Sequence, residues 1–496
     1  MGKDVGGWAM SREEVCRISG LQRAPSRVLW LSALVASVPF EGYIAANLLG
    51  YPLSVPLSVA VAFLGVAMLA LLLDGRLTLD AMSRVGIALA AASALSGVGA
   101  VSLGILSIEY LRSLSLGLFL IGLFVMMSQG RFRSRSARPM MWWIAAIGAG
   151  ISLLAIYQAC ANLQHGAPTL LFQLTNPLTG PQRQYAYSYV SGFLRPTAFF
   201  AEPSWLAHYL AMSGLVAGLL MTRTRYRLAS TSLLVLNAMG FLVAFSLGAY
   251  IALLCAGMAA LCVVRPRLWR ILGTVSLVAI AMLVFLPKLS STLVRDLGAR
   301  VDLLDTSAQQ FAGGAEQRVS SSTSEILRLG AALTGVDVTF SSPVTALIGC
   351  GIGSYDRVAQ LSSSKTDLAF SGTGWTSVLV EQGLFGVAVY LVFFWTLLSR
   401  TLRKEHGCAS GGRKEGVLRM RRFYLCAMAF LLAFSGLTGG LGFERSLRFW
   451  VFASVVVVLV RAGTDQAGRV SDTNLVTPAL GRSRRRPQPG IATREA

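Results

Sequence analysis

Long apolar runs, each of about twenty residues, recur along this chain and limit what it can fold into. A helix of about twenty residues crosses the roughly 30 Å hydrocarbon core of a bilayer. Hydrophobic residues make up 54% of the 496 residues and charged residues only 14%, which excludes an ordinary soluble protein. The sequence therefore predicts an all-α polytopic membrane protein.

The apolar runs divide the chain into a terminal segment, a membrane domain and a tail. We predict a cytoplasmic segment at 1–27, a membrane domain at 28–462 and a basic, disordered cytoplasmic tail at 463–496. Within the membrane domain, the polar segments 161–203 and 287–373 are predicted outer loops, the longer one between spans nine and ten. The twelve predicted spans lie at about 28–49, 55–73, 85–106, 111–128, 140–160, 204–221, 228–245, 248–264, 271–286, 374–398, 423–441 and 446–461.

The excess of basic residues indicates how these spans are oriented. The chain has 44 Lys and Arg against 23 Asp and Glu, a formal charge of +21. If the spans alternate in direction, 32 of the 44 basic residues fall on one side and 12 on the other. Cytoplasmic loops are enriched in Lys and Arg, so both termini are predicted to be cytoplasmic. The charge is thus a topology signal, and the partner that it predicts is membrane lipid, with no nucleic acid.

The cysteines and histidines do not indicate a metal site. Seven cysteines contain no C-x-x-C pair, several of them lie inside apolar runs, and only three histidines are present. Zinc and similar metals are usually held by closely spaced Cys and His ligands. The sequence therefore predicts no metal and no cofactor.

The segment before the sixth span places several polar side chains at the mouth of a helix. Pro203 suits a first helical turn, which places Glu202 at the outer end of the span and His208 about one and a half turns deeper. Arg195 beside a carboxylate suits a phosphate ligand, because guanidinium offers paired donors. The structural alternative is that Arg195 pairs with Glu202 or reaches lipid head groups. Ser204 shares a helix face with His208, but no oxyanion loop accompanies them, so a hydrolytic triad is excluded.

A second group of residues surrounds the start of the tenth span. Gly351 and Gly353 belong to three alternating glycines, for which a tight turn with close backbone packing is favoured over a nucleotide-binding loop. Gly383 and Gly386 lie one turn apart and permit close helix approach. Glu381 lies within the same span, where a carboxylate needs a polar cavity, an arginine or a backbone hydrogen bond. Both a catalytic and a structural role remain open for it.

These features resemble the bacterial family of O-antigen ligases and polysaccharide polymerases over about residues 28–460. The segment Arg195-Pro-Thr-Ala-Phe-Phe-Ala-Glu-Pro-Ser204 is similar to the family's Arg…Gly/Ala-x-Phe-x-(Glu/Asn)-Pro-(Ser/Asn) element. Gly349-Cys-Gly-Ile-Gly-Ser-Tyr355, followed by Glu381-Gln-Gly-Leu-Phe-Gly386, resembles its glycine-rich turn and Glu-x-Gly-Leu-x-Gly helix. The resemblance implies metal-independent, inverting glycosyl transfer on the outer face of the inner membrane. The implied donor is an oligosaccharide on undecaprenyl pyrophosphate, with a flippase and a chain-length regulator as further partners.

Two departures separate this chain from the ligases of that family. Where ligases carry a His-(Asn/Ser/Gln) pair nine residues before Gly-x-x-Gly, this chain has Gly372 and Thr373. Where ligases carry an Arg after the Ser between spans seven and eight, it has Ser246-Leu247-Gly248. We therefore predict a polymerase of lipid-linked repeat units that makes O-antigen, capsule or exopolysaccharide. The alternative is an O-antigen ligase that transfers the glycan to lipid A-core or another acceptor.

Inverting transfer assigns roles to the polar residues of both groups. It needs a base for the acceptor hydroxyl and cations for the leaving pyrophosphate. Glu202 is the predicted base, with His208 as second choice. Arg195 is the first predicted pyrophosphate ligand, joined by Arg445 or Arg448 at the start of span twelve. The remaining residues predicted to line the site are Ser204, Gly351, Gly353, Glu381, Gly383 and Gly386.

A transporter or flippase of lipid-linked glycans is the rival class. In that case Glu41, Glu202 and Glu381 are intramembrane coupling charges. Transporters usually contain two related halves with matched broken helices, and the sequence shows no such symmetry. A long loop on one side of the membrane therefore favours an enzyme.

Overall fold

Helices make up most of the structure, a computed structural model. It describes residues 25–41, 43–48, 51–74, 81–128, 134–165, 189–190, 193–200, 202–221, 226–264, 336, 338–355, 358, 374–402, 411–438 and 446–460. The helices are α1 (Pro25–Ser37), α2 (Val55–Asp74), α3 (Ala81–Ser102), α4 (Ile108–Ser128), α5 (Ser134–His165), α6 (Pro203–Met221), α7 (Arg227–Val243), α8 (Leu247–Val264), α9 (Pro343–Ile348), α10 (Gly374–Leu402), α11 (Gly411–Thr438) and α12 (Leu447–Val460).

Among the described residues, five helical segments are long and apolar enough to cross a membrane, as judged by length and composition. The other apolar helices have 10 to 17 residues in their apolar segments. A described helix overlaps each predicted span except the ninth, 271–286, which lies outside the described residues. The five segments are Ala81–Ser102, Tyr110–Ser128, Ala137–Ala161, Pro203–Met221 and Gly374–Leu397.

The first apolar helix ends earlier than the predicted span 28–49. After α1 a single 3-10 turn, Val38–Phe40, leads to Glu41. Pro39 lies in this turn, and because proline has no backbone N–H it cannot continue the α-helical hydrogen bonds. The chain then forms strand β1 (Ile44–Leu48), which pairs antiparallel with β2 (Tyr51–Ser54). The helical prediction for the residues after Phe40 is therefore wrong.

A second short strand pair lies directly before α6. Strands β3 (Tyr189–Val190) and β4 (Phe193–Leu194) are antiparallel and lead into the segment 195–200. The two strand pairs are small elements beside a helical framework. They position the polar residues that flank helices α1 and α6.

Helices α6 and α12 form the interior of the helical framework. Helix α6 packs against α5, α7, α8 and α11. Every residue of α12 from Leu447 to Leu459 is buried. A charged side chain on either helix therefore lies in a dry environment unless it is at a helix end, and it needs a partner there.

Candidate functional site

The start of α6 places a carboxylate at a helix mouth, as predicted from Pro203. The first helical residue is Pro203, and the carbonyl of Glu202 accepts hydrogen bonds from the backbone N–H of Trp205 and Leu206 at 3.1 and 3.3 Å. The hydroxyl of Ser204 donates to Oε2 of Glu202 at 2.9 Å. This hydrogen bond holds the half-buried carboxylate beside the helix axis.

An ion pair joins the end of the first helix to the start of the last. Nε of Arg448, on α12, lies 2.9 Å from Oε2 of Glu41, and the two side chains are 9% and 18% exposed. The guanidinium carbon of Arg448 also lies 3.6 Å from the ring centroid of Trp205 on α6. We call Glu41, Glu202, Trp205 and Arg448 the charge cluster. Three helix ends that are far apart in sequence thus meet at one point.

The charge cluster contains two carboxylates and one guanidinium. Burial raises the pKa of Glu41, which follows the last helical residue; Arg448 opposes this shift and Glu202 adds to it. Glu41 and Glu202 are therefore close enough to repel each other when both are ionised. The cluster contains two carboxylates for one guanidinium, and burial favours the protonated form of Glu41. Such a site suits proton transfer.

Arg448 retains hydrogen-bonding capacity that the cluster does not use. Its Nη1 is buried and has no hydrogen-bond partner among the described residues. A buried guanidinium donor without a partner costs free energy, and an anionic oxygen is the ligand that best satisfies it. The cluster can therefore bind an anionic group on Arg448 while a carboxylate nearby accepts a proton.

His208, the second predicted base, lies one turn of α6 beyond Ser204. Its ring is 2% exposed and packs among Phe430, Phe434 and Phe452, with ring centroids at 5.7, 4.4 and 5.4 Å. Its Nε2 has no hydrogen-bond partner within the described part of the chain. This environment is aromatic and dry. It resembles a packing site more than a route for protons from solvent.

Arg195 makes a backbone contact that the sequence did not predict, and its predicted role as a phosphate ligand stays a prediction. Its Nη1 donates to the carbonyl of Phe245, in the turn between α7 and α8, at 3.0 Å. Both Phe245 and Ala198, in the Arg195 segment, have left-handed backbone, with φ of 45° and 50°. Such strain in residues other than glycine costs about 1–3 kcal/mol each. Arg195 therefore joins its own strained segment to the strained turn between α7 and α8.

A buried glutamine anchors the same segment, and sequence reasoning missed it. Oε1 of Gln158, on α5, accepts hydrogen bonds from the backbone N–H of Thr197 at 3.3 Å and Ala198 at 2.8 Å. Gln158 is fully buried inside an apolar run. A buried side-chain amide needs hydrogen-bond partners. The polar Gln158 inside an apolar run could therefore have been recognised in the sequence as a residue that holds another segment.

The glycine turn, residues 349–353, packs against α10 by backbone contacts. Helix α10 is broken at Gly383, where φ is 66° and ψ is −166°. The break leaves the carbonyls of Val380 and Glu381 to accept hydrogen bonds from Cys350 N at 2.7 Å and Gly351 N at 3.0 Å. Gly349 has φ of 80°, and a Cβ on it would clash with the backbone at Glu381. The prediction of a tight turn with close backbone packing is confirmed.

The other predicted residues around this turn also have packing environments. Gly353 has left-handed backbone with φ of 76°, and a Cβ on Gly386 would meet the Gln382 side chain. Glu381 is fully buried beside Cys350, whose pKa burial raises to about 11, with the Glu381 charge adding to the shift. The thiol is therefore protonated near neutral pH and is not a nucleophile.

Several predicted positions lie outside the described residues. Arg445, Gly372 and Thr373 are among them, as are most of the two predicted outer loops. Among the described residues, no group of three or more His, Cys, Asp or Glu is placed to hold a metal ion.

Comparison with known proteins adds no family to this description. The sequence matches no protein-family model, and a comparison with curated proteins finds no match. The resemblance to O-antigen ligases and polysaccharide polymerases therefore rests on the two motifs and stays a prediction.

Proposed function

We propose that this protein is a membrane glycosyltransferase that polymerises undecaprenyl-pyrophosphate-linked oligosaccharide repeat units into surface polysaccharide. The reaction takes place on the outer face of the bacterial inner membrane. The observation that carries the proposal is the charge cluster, in which a buried arginine with an unused donor lies beside two carboxylates at the start of α6. The multi-pass topology with cytoplasmic termini belongs to the proposal, and the distribution of basic residues supports it.

In the proposed reaction, Arg448 stabilises the leaving group. Glu41 holds the guanidinium through Nε, and the face of Trp205 fixes its plane, so that Nη1 is presented in one orientation. As the bond between the anomeric carbon and the phosphate oxygen breaks, its electron pair stays on the pyrophosphate. Donors fixed in advance stabilise this charge without having to reorganise. Arg195 and Arg445 are candidates for further charge compensation.

Glu202 acts as the base in the same step. The acceptor hydroxyl attacks the anomeric carbon from the face opposite the leaving group, and its proton moves to Glu202. The hydrogen bond from Ser204 to Oε2 leaves the other carboxylate oxygen for the acceptor hydroxyl. Glu202 lies at the mouth of α6, and this position suits an acceptor that arrives from outside the membrane.

A strain that lacks the protein tests this assignment through its lipid-linked glycans. If the protein is the polymerase, single lipid-linked repeat units accumulate, long polysaccharide is absent, and single units still reach their final acceptor. If long lipid-linked chains accumulate instead, the protein is a ligase and the proposal is wrong. Restoring the wild-type chain must restore long polysaccharide, which controls for secondary effects.

A transporter of lipid-linked glycans is the second candidate, and the broken helix α10 favours it. The break at Gly383 lies two residues after the buried Glu381, and discontinuous helices are typical of transporter binding sites. A transporter would move the lipid-linked unit across vesicles that contain only this protein. A polymerase would lengthen it there without moving it.

A further inference from the structure

A groove between four helices lies apart from the charge cluster. It has a volume of about 470 Å³ and is lined by residues of α6, α7, α8 and α11. This volume is within the range of ligand pockets in proteins, about 300–1,000 Å³. The lining is apolar except for Asn237 and Arg422. A ligand for this groove must therefore be largely hydrocarbon.

The two polar lining residues differ in what they offer a ligand. Nδ2 of Asn237 donates to the carbonyls of Ala145 and Leu233, while its Oδ1 is a buried neutral acceptor without a partner among the described residues. Nε of Arg422 is buried and has no hydrogen-bond partner among the described residues. The groove thus combines an apolar channel with one neutral acceptor and one cationic donor. The channel and the cationic donor are complementary to an acyl chain that carries an anionic head group.

The position of the groove separates it from the charge cluster. On α6 it runs from Leu210 to Leu219, about 12 to 25 Å from Glu202 along the helix axis. On α11 Phe434 contacts His208, and Arg422 lies twelve residues earlier, about 18 Å along that axis. Arg422 is therefore near the other membrane surface, at the arginine-rich start of α11. By the distribution of basic residues this surface is the cytoplasmic one.

We propose that this groove binds one anionic phospholipid of the cytoplasmic leaflet. An acyl chain fills the channel between α6 and α8, and the lipid phosphate accepts a hydrogen bond from Arg422. Basic pockets between membrane helices on the cytoplasmic side are known to select anionic head groups. The inference rests on the orientation of the spans that belongs to the proposed function, but not on the proposed activity. It also differs from the proposed glycan carrier, whose pyrophosphate would lie at the opposite surface.

Two substitutions separately test the binding of the acyl chain and the binding of the lipid head group. Gly218 lines the groove, and a Cβ on it meets no atom within 4 Å, so Gly218→Phe fills the channel without a backbone clash. Gly122 on α4 has the same open surroundings outside the groove, so Gly122→Phe is the matched control. Arg422→Gln removes the charge, and the exposed Arg227→Gln, at the start of α7, is its control.

The measurement is native mass spectrometry of protein released from nanodiscs of phosphatidylglycerol or phosphatidylcholine. We expect one retained phosphatidylglycerol in the wild type and both controls, and loss of this lipid in Gly218→Phe. Arg422→Gln should retain phosphatidylglycerol about fivefold less well and no longer prefer it over phosphatidylcholine. Equal retention in Gly218→Phe and wild type overturns the proposal. So does a wild-type dimer that Gly218→Phe dissociates, because a second copy then occupies the groove.

Discussion

The charge cluster and the glycine turn use buried polar groups in opposite ways. At the glycine turn, backbone N–H groups of Cys350 and Gly351 meet the carbonyls that the break in α10 leaves available. In the charge cluster, Arg448 has a buried nitrogen without a partner among the described residues, next to carboxylates that repel each other. The backbone groups of the first region satisfy one another, although the Gln382 side chain beside them has no partner among the described residues. Of the two regions, the charge cluster alone keeps a charged donor without a partner among the described residues.

This difference separates a structural role from a functional one. A buried ion pair contributes little net stability, because the loss of hydration offsets the attraction between the charges. A buried ion pair at a helix mouth, with an unused donor, therefore contributes more to ligand binding than to the stability of the fold. The glycine turn stabilises the fold by close backbone contact. We therefore expect substitutions in the cluster to change chemistry and substitutions in the turn to change stability.

The largest expected effect is on proton transfer by Glu202. Glu202→Gln keeps the size of the side chain and can still accept a hydrogen bond from Ser204, but it is not a base. Loss of a general base costs about 10²–10⁴-fold in rate. Polymer formed from lipid-linked repeat units by the purified variant should fall by this factor, while its thermal unfolding midpoint stays within error of wild type. Full polymerisation by Glu202→Gln would remove it from the mechanism.

Removing the cation from the cluster should lower stability in a pH-dependent way. Arg448→Gln leaves Glu41 and Glu202 without their cation, and breaking a buried pair costs about 3–5 kcal/mol. The loss should shrink as the pH falls, because the pKa of Glu41 is raised by burial and protonation removes its uncompensated charge. A titration with denaturing detergent measures the free energy of unfolding. The double variant Glu41→Gln/Arg448→Gln should recover most of the free energy of unfolding that Arg448→Gln loses. A still lower free energy of unfolding in the double variant would contradict the pairing of Glu41 with Arg448.

A smaller effect is expected when the charge of Arg448 is kept and its shape is changed. Arg448→Lys loses the planar group that lies over Trp205 and the second donor. A hydrogen bond to a charged group is worth about 1.5–3 kcal/mol, so product formation should fall about tenfold to hundredfold. The matched control is Arg227→Lys at the exposed start of α7, with no expected change. Equal rates for the two variants would show that only charge matters.

The sequence predicted those parts of the site that depend on local geometry. Pro203 begins α6 and places Glu202 at its mouth, because proline fits a first helical turn. The alternating glycines form the expected tight turn. Both patterns are encoded within a few residues, so no knowledge of distant contacts was needed.

The parts that the sequence did not predict depend on distant contacts. The pairing of Glu41 with Arg448 needs the end of α1 to meet the start of α12, which no local pattern specifies. The hydrogen bond from Nη1 of Arg195 to the carbonyl of Phe245 also joins segments fifty residues apart, and no local pattern predicts it. The end of α1 near Pro39 could have been predicted, because proline interrupts helical hydrogen bonds.

The smallest effect on activity is expected at Gly383, and this substitution tests the structural role of the glycine turn. Gly383 has φ of 66° and ψ of −166°, a backbone region that only glycine adopts without strain, so Gly383→Ala costs at least about 1–3 kcal/mol. Gly122→Ala is the control, because this helical glycine has open surroundings and alanine there should stabilise the helix by about 0.5–1 kcal/mol. Thermal unfolding measures both changes.

The product formed per folded molecule then decides what Gly383 does. If the glycine turn is structural, Gly383→Ala lowers the unfolding midpoint, and the rate per folded molecule stays near that of wild type. The turn holds α10 through Cys350 and Gly351, so strain at Gly383 first weakens those two hydrogen bonds. A rate that falls more steeply than the folded fraction would place the turn, and Glu381 beside it, in the reacting site. The contrast between the two regions would then be wrong.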